Sequence, residues 1–366
     1  MPGFAALKSK LFADITSIPS SLQPSYLPGL DGLRAVAIII VLISHYTVNT
    51  RYQGILAGDI GVEIFFVISG FLITSLLLKE QVNKGSISLK YFYIRRFLRI
   101  IPVAYLFLLT VYVLNQYLNL GVSSLSIILA GLFTTNLNIP GLRAHSWYVG
   151  HFWSLSVEEQ FYLTFPFLLA YNLNKYLKVV ITLVILVPII GYLGFNNVGV
   201  FYTNRAVHIG AFVIIDLLGK TVCILIGSLL SVLLFKGFLN IRDTVYTRYL
   251  SLVMLIFAIL IHTQTSVFYI PYSGLFIFPL LIGAVIILNL KANSVLTQIL
   301  NNKILVYIGN LSYSLYIWQE LFSVSDNWLI KSNSVILHIV VLFAVANASY
   351  YLYERRFYKI KALFKR

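Results

Sequence analysis

Apolar runs of about 17 to 25 residues recur from one end of this chain to the other, and they narrow the available folds more than any other feature. Each run is long enough to cross ~30 Å of hydrocarbon as a helix. In lipid the backbone must satisfy its own hydrogen bonds, which leaves helices or a closed barrel. Barrel strands would be about ten residues of strict alternation, and the runs do not alternate. They predict membrane helices at roughly 31–49, 59–79, 98–118, 157–173, 176–194, 212–235, 248–263, 272–290, 304–322 and 333–353. The apolar stretch 123–135 is too short to span and reads as a re-entrant or interfacial segment. Only 11% of residues are charged, against about 25% in a soluble domain. The expected fold is therefore all-α, a polytopic membrane bundle of about ten helices. Residues 1–28, with Pro19 and Pro24, form a lead; 29–354 are the transmembrane domain; 355–366 are a basic tail.

Charge sets the orientation. The formal net charge is +15, a value that in a soluble protein points to nucleic acid. Here the basic residues flank apolar runs, so they act on topology and the lipid surface, and no nucleic-acid partner is expected. With the N-terminus inside, 21 of the 27 lysines and arginines fall on inside segments and four, Arg51, Arg143, Arg205 and Lys331, fall outside. That asymmetry places both termini in the cytoplasm. No short apolar region with a small-residue cleavage site opens the chain, so no removable signal is expected. The single Cys223 excludes a disulfide framework and lies within an apolar run.

An ionisable side chain inside the bilayer costs at least ~2.5–3.5 kcal/mol and is a functional candidate by default. Arg34, His45, Glu63, Glu158, Glu159, Asp216 and Lys220 qualify. Asp216 and Lys220, four residues apart, are expected to neutralise each other on one helix face. Arg34 and His45 are eleven residues apart, three turns, so they share a face about 16 Å apart along the axis. A neutral imidazole is well matched to taking a proton from a hydroxyl near pH 7. Arg96 and Arg99, with Arg95 beside them, sit where the third helix leaves the cytoplasm. They serve either topology and lipid heads or as a forked clamp for phosphates. Glu158 and Glu159 enter an apolar span together, so at least one should face a cavity. Upstream, Arg143, His145, Trp147, His151 and Trp153 crowd one loop. A metal there lacks a regular ligand face, and none is expected.

These segments together resemble the acyltransferase-3 family of membrane O-acyltransferases. The resemblance starts at Leu30-Asp31-Gly32-Leu33-Arg34 with its spacing to His45. It continues through Asp59-Ile60-Gly61-Val62-Glu63-Ile64-Phe65-Phe66-Val67-Ile68-Ser69-Gly70-Phe71-Leu72-Ile73, then Arg96 and Arg99, then Trp153 to Tyr162. It ends on Ile308-Gly309-Asn310-Leu311-Ser312-Tyr313-Ser314-Leu315-Tyr316-Ile317-Trp318. It implies ten helices in a bacterial inner membrane, acetyl-CoA as the cytoplasmic donor, no metal, and a surface or exported glycan as acceptor. It makes His45 the essential histidine with Arg34 as its partner, and Arg96 and Arg99 the pair linked to donor use. Glu158 and Glu159 fall in its carboxylate motif at an outer helix start. Asp59, Glu63, Trp153 and Tyr162 become candidates for holding the acceptor. Glu63 stands where the family more often has Asp, Gln319 where many members have His, and Arg355 where many have Pro. No appended hydrolase-like domain is expected, so the chain is expected to act alone or with a separate partner.

The mechanism expected from these positions has Arg96, Arg99 and Arg34 holding the donor's phosphates at the inner mouth. A pantetheine arm of about 15–20 Å, comparable with three helical turns, then reaches His45. His45 deprotonates the acceptor or takes the acetyl transiently, and Glu158 or Glu159, near the outer face, orients the sugar or the imidazole. Two other readings stay open on the sequence: a secondary transporter, which predicts inverted repeats, and a lipid O-acyltransferase using longer donors.

Overall fold

The computed structural model describes residues 3–24, 26–47, 56–137, 146–239, 244–290, 294–323 and 334–364, with Phe4 and Ala5 as backbone only. Arg51, Arg143, His145, Arg242, Lys291, Lys331, Lys365 and Arg366 therefore lie outside the described residues. Among the described residues every regular element is helical. In order these are α1 (Phe4–Phe12), α2 (Pro28–Tyr46), α3 (Gly58–Lys84), α4 (Leu89–Leu118), α5 (Ser124–Gly131), α6 (Phe152–Tyr171), α7 (Leu173–Phe195) and α8 (Val200–Thr203). They continue as α9 (Arg205–Leu218), α10 (Thr221–Phe235), α11 (Val245–His262), α12 (Ile277–Asn289), α13 (Val295–Leu300), α14 (Lys303–Trp318), α15 (Val335–Ala348) and α16 (Arg355–Ala362).

Each expected span falls on a helix, but not every helix is a self-sufficient crossing. Among the described residues six are long and apolar enough: Pro28–Tyr46, Gly58–Lys84, Leu89–Leu118, Leu173–Phe195, Val245–His262 and the composite Val335–Ala362. The run expected at 212–235 is a broken pair, α9 and α10, bent by 57° and a seventh candidate if counted as one. The other three fall on α6, α12 and α14. The 13 residues of α12 rise only about 20 Å, and α14 gives way to a 3₁₀ turn at Gln319–Leu321. The short α5 matches the expected non-spanning segment.

Local chemistry sets many of the ends. Pro28 opens α2 at a position where its missing N–H costs nothing. Gly85, at φ +73°, closes α3 in the left-handed conformation that glycine adopts freely. The side chains of Asn172, Asn204 and Ser334 accept hydrogen bonds from the first turns of α7, α9 and α15.

The core is built around α3, which lies against α10 along much of its length. A Cβ on Gly70 would stand 1.8 Å from the Ile224 carbonyl oxygen, and one on Gly227 would stand 2.1 Å from that of Val67. Backbones can approach that closely only where both helices present small residues. Hydroxyl pairs bridge the same interface, Thr74 to Ser228 at 2.6 Å and Ser75 to Ser231 at 2.8 Å. On the other side α3 meets α2 antiparallel, with Gly61 against Ala37 and Gly58 against Ser44 and His45. Helix α14 runs parallel to α2, with Gly309 seated on the backbone of Asp31.

Both flanks pack onto the basic end of this bundle. Lys10 donates to the Gly237 carbonyl at 2.8 Å, and Lys236 donates to that of Ala13. Arg95 pairs with Glu80 at 3.2 Å and donates to the Phe364 carbonyl at 3.0 Å. A π-helical segment, Ser349–Glu354, carries α15 into α16 and turns Glu354 inward.

Candidate active site

Two polar groupings occupy the two ends of the α2–α3–α14 core. The first lies toward the basic end. Arg34 of α2, Arg96 and Arg99 of α4, Glu158 and Tyr162 of α6, Ser69 of α3 and Ser312, Tyr313 and Tyr316 of α14 line one cavity of about 90 Å³. Arg34 is tethered by Asp31 at 2.9 Å, one turn back on its own helix. Arg96 lies over the Tyr162 ring, 5.5 Å from its centre. Ser69 donates to Glu158 at 2.5 Å. Beneath Arg99, buried Glu354 accepts from Ser314 at 2.5 Å, Ser349 at 3.0 Å and Tyr358 at 3.2 Å. Three guanidinium groups from α2 and α4 line this one cavity, and their forked donors suit a polyanion such as a nucleotide phosphate.

The placement of Glu158 corrects an expectation. It was expected at the outer face, orienting the sugar or the imidazole. Helix α6 begins at Phe152, five residues before the expected start, and runs parallel to α3 with Trp153 packed edge-on to Phe66. Glu158 thereby reaches the level of Ser69, eleven residues below Gly58 and so about 16 Å below the level of His45. It belongs with the arginines. Glu159 turns away from the cavity lining, and its Oε1 is buried with no hydrogen-bond partner among the described residues. Of the expected acceptor-holding residues, Tyr162 lines the arginine cavity and Trp153 does not.

The second grouping surrounds His45 at the far end of α2. Its ring packs against Trp147 at 5.6 Å, and its Nδ1 is buried without a hydrogen-bond partner among the described residues. The titratable groups facing it are Glu320 and His151. These two form a buried pair: the His151 Nδ1 stands 2.7 Å from Glu320 Oε2, which also accepts the His151 backbone N–H at 3.2 Å. His45 does not line the arginine cavity, yet the two regions share a wall. Tyr316 and Ser154, both lining the cavity, hydrogen-bond each other at 2.6 Å, and both hydroxyls lie within reach of the His151 carbonyl, at 3.3 and 3.0 Å.

A separate cluster lies beside the start of α3. Lys220 donates to Glu63 at 2.5 Å and stands 3.7 Å from Asp59. His262 Nε2 is 3.7 Å from Asp59 and from Glu63. Lys220, expected to share a helix face with Asp216, pairs with Glu63 and stands near Asp59 of α3. Helix α9 stops at Leu218 and the chain bends by 57°, so the two residues share no face. Asp59 and Glu63 are gathered here rather than around His45. With His262 they offer donor atoms within 4.8 Å of one another, a spacing a cation accepts, although Lys220 already supplies positive charge.

Sequence reasoning missed Glu320, His262 and Glu354. Each sits at a helix end or in an irregular turn, where an ionisable residue looks like an ordinary interfacial one.

Long apolar helices enclose buried arginines, carboxylates and histidines, and the similarities say to which family such a chain belongs. A sequence profile described as an acyltransferase domain matches residues 27–354. The chain belongs to the acyltransferase-3 family. It is 30% identical over 337 residues to the O-acetyltransferase OatA of Staphylococcus aureus strain NCTC 8325, covering 83% of this chain and 52% of that protein. It is also 30% identical over 329 residues to a protein of S. aureus strain COL provisionally named an O-acetyltransferase, covering 80% of this chain and 50% of the relative. The chain thus spans about half the length of the relatives it matches. No solved structure matches it.

Proposed function

We propose that this chain is an O-acetyltransferase of the bacterial cytoplasmic membrane that moves acetyl from acetyl-CoA to a hydroxyl of a surface or exported glycan. It crosses the membrane ten times with both termini in the cytoplasm. One observation carries the reading: a cavity lined by three arginines at the basic end shares the wall of Ser154 and Tyr316 with the His151–Glu320 pair beside His45. A donor with phosphates at one end and a thioester at the other fits that layout, and the acceptor enters from the His45 end.

The reaction follows from the groups available. Arg34, Arg96 and Arg99 hold the phosphates of the donor. Glu158, fixed by Ser69, limits their mutual repulsion and keeps their side chains in place. The imidazole of His45 takes the proton of the acceptor hydroxyl as its oxygen attacks the thioester carbonyl. The tetrahedral intermediate collapses, the carbon–sulfur bond breaks, and the leaving thiolate receives that proton from His45. The products are an acetyl ester and CoA. Enclosure between helices aligns both substrates and excludes competing water.

The test is direct. Membranes carrying the chain are given acetyl-CoA labelled in the acetyl group, and label is followed into polysaccharide. The parent is expected to transfer label, and His45→Ala to lose transfer by at least about 100-fold with an unchanged melting temperature. Normal turnover in His45→Ala refutes the assignment.

A further inference from the structure

Buried polar atoms are almost always hydrogen-bonded, and those that are not call for an explanation. Twelve buried side-chain nitrogen and oxygen atoms have no hydrogen-bond partner among the described residues. Six of the twelve fall in one place: His45 Nδ1, His151 Nε2, Trp318 Nε1, both amide atoms of Gln319, and Ser323 Oγ. Gln319 is the extreme case, 0% exposed with neither its donor nor its acceptor used.

Helix register puts these atoms beside the catalytic end. Because Gly309 sits on Asp31 and the helices run parallel, Gln319, ten residues on, stands level with Val41. That is one turn, about 6 Å, below His45, and Ser323 stands level with His45. Gln319 follows Ser312 by seven residues and Tyr316 by three, so it shares the helix face of two cavity-lining residues. Trp318 and His151 both pack on Phe107, at 5.5 and 5.1 Å.

The chemistry of the unmet atoms selects the ligand. The indole N–H only donates, and the amide both donates and accepts. With its Nδ1–H given to the Glu320 carboxylate, His151 presents a lone pair at Nε2. These groups carry no charge, mix donors with acceptors, and lie next to Glu320, which repels an anion. A neutral polyhydroxyl compound satisfies that set. We propose that Gln319, with Trp318 and His151, binds the acceptor as an uncharged sugar, and that Gln319 orients the hydroxyl presented to His45. The proposal rests on the acetyl-transfer reading above and names the acceptor's class and the residues that recognise it.

Gln319→Leu, with Trp318→Phe as a second variant that keeps the ring, tests this on the full chain in detergent and in membranes. Three quantities are read: the melting temperature, its rise on adding free CoA, and labelled acetyl entering neutral and acidic envelope polysaccharide fractions. Because the unmet amide destabilises the free protein, Gln319→Leu is expected to melt at or about 1–4 °C above the parent. Protection by CoA should be unchanged. Transfer to the neutral fraction should fall about 10- to 100-fold, as expected for a site built to bond a hydroxyl. Trp318→Phe should show the same pattern to a smaller degree. A lowered melting temperature, loss of CoA protection, undiminished transfer, or parental label confined to the acidic fraction overturns the proposal. Failure of the acetyl-transfer reading itself is distinguishable, because the parent would then label no polysaccharide while the melting comparison still decides whether the amide is unbonded.

Discussion

Replacing Lys220 by Met should cost more than any surface change of the same size, because of what it leaves behind. Glu63 is 0% exposed and holds Lys220 Nζ at 2.5 Å. At that separation the gross attraction is about 6–7 kcal/mol for an effective dielectric constant near 20. The net value is smaller, since the Lys220 side chain is 38% exposed and two ions must be desolvated. Removing one partner of a buried pair costs about 3–5 kcal/mol. His262 lies 3.7 Å from the other Glu63 oxygen and can take up part of the charge, so about 3 kcal/mol is expected for Lys220→Met. Glu63→Leu with Lys220→Met removes both charges and should recover about 2 kcal/mol of that loss. Unfolding in mixed micelles at rising SDS fraction, followed by the emission of the four tryptophans, measures all corners of the cycle. If Lys220→Met stays within 1 kcal/mol of the parent, or Glu63→Leu is as damaging in the Lys220→Met background as alone, the pair is not what holds the start of α3 to the α9–α10 bend.

Two further expectations test the donor end and the topology. Arg96→Gln with Arg99→Gln should raise the apparent KM for acetyl-CoA about 10-fold or more while leaving kcat within about threefold, the pattern of lost uniform binding; an unchanged KM would return both arginines to a topological role. Since Cys223 is fully buried, an impermeant maleimide should ignore the parent, label Val267→Cys in intact cells, and label Leu363→Cys only after permeabilisation; both positions are exposed, and the reverse pattern would invert the proposed orientation.

The positions of the helices were legible in the sequence because a crossing helix must be apolar throughout, and 19-residue windows detect that. Their internal breaks were not. Gly219 and Lys220 lie within an apolar run that reads as continuous, yet the chain bends there and Lys220 reaches Glu63, 157 residues away. Pair spacing along one helix cannot reveal a partner supplied by another. The depth of Glu158 was misjudged for a related reason. Polar residues Ser154 and Ser156 mask the true start of α6 at Phe152, and a shift of five residues moves a side chain by more than one turn. Arg34 and His45 on one face, and Arg96 and Arg99 beside each other, were readable because they depend only on helical geometry. Glu320 was hidden in a 3₁₀ turn just beyond α14, where its bond to His151, 169 residues earlier, leaves no local trace.

The contacts that seat the first residues beneath α10 also set a clock for biosynthesis. Lys10 bonds a carbonyl 227 residues further along the chain. At about 5–20 residues per second, that partner leaves the ribosome roughly 11–45 seconds after Lys10 does. Throughout that interval Lys10 lacks this partner, and its ammonium stays in water or among lipid phosphates until the later segment is inserted. The lead is thus made well before the contact that seats it becomes available.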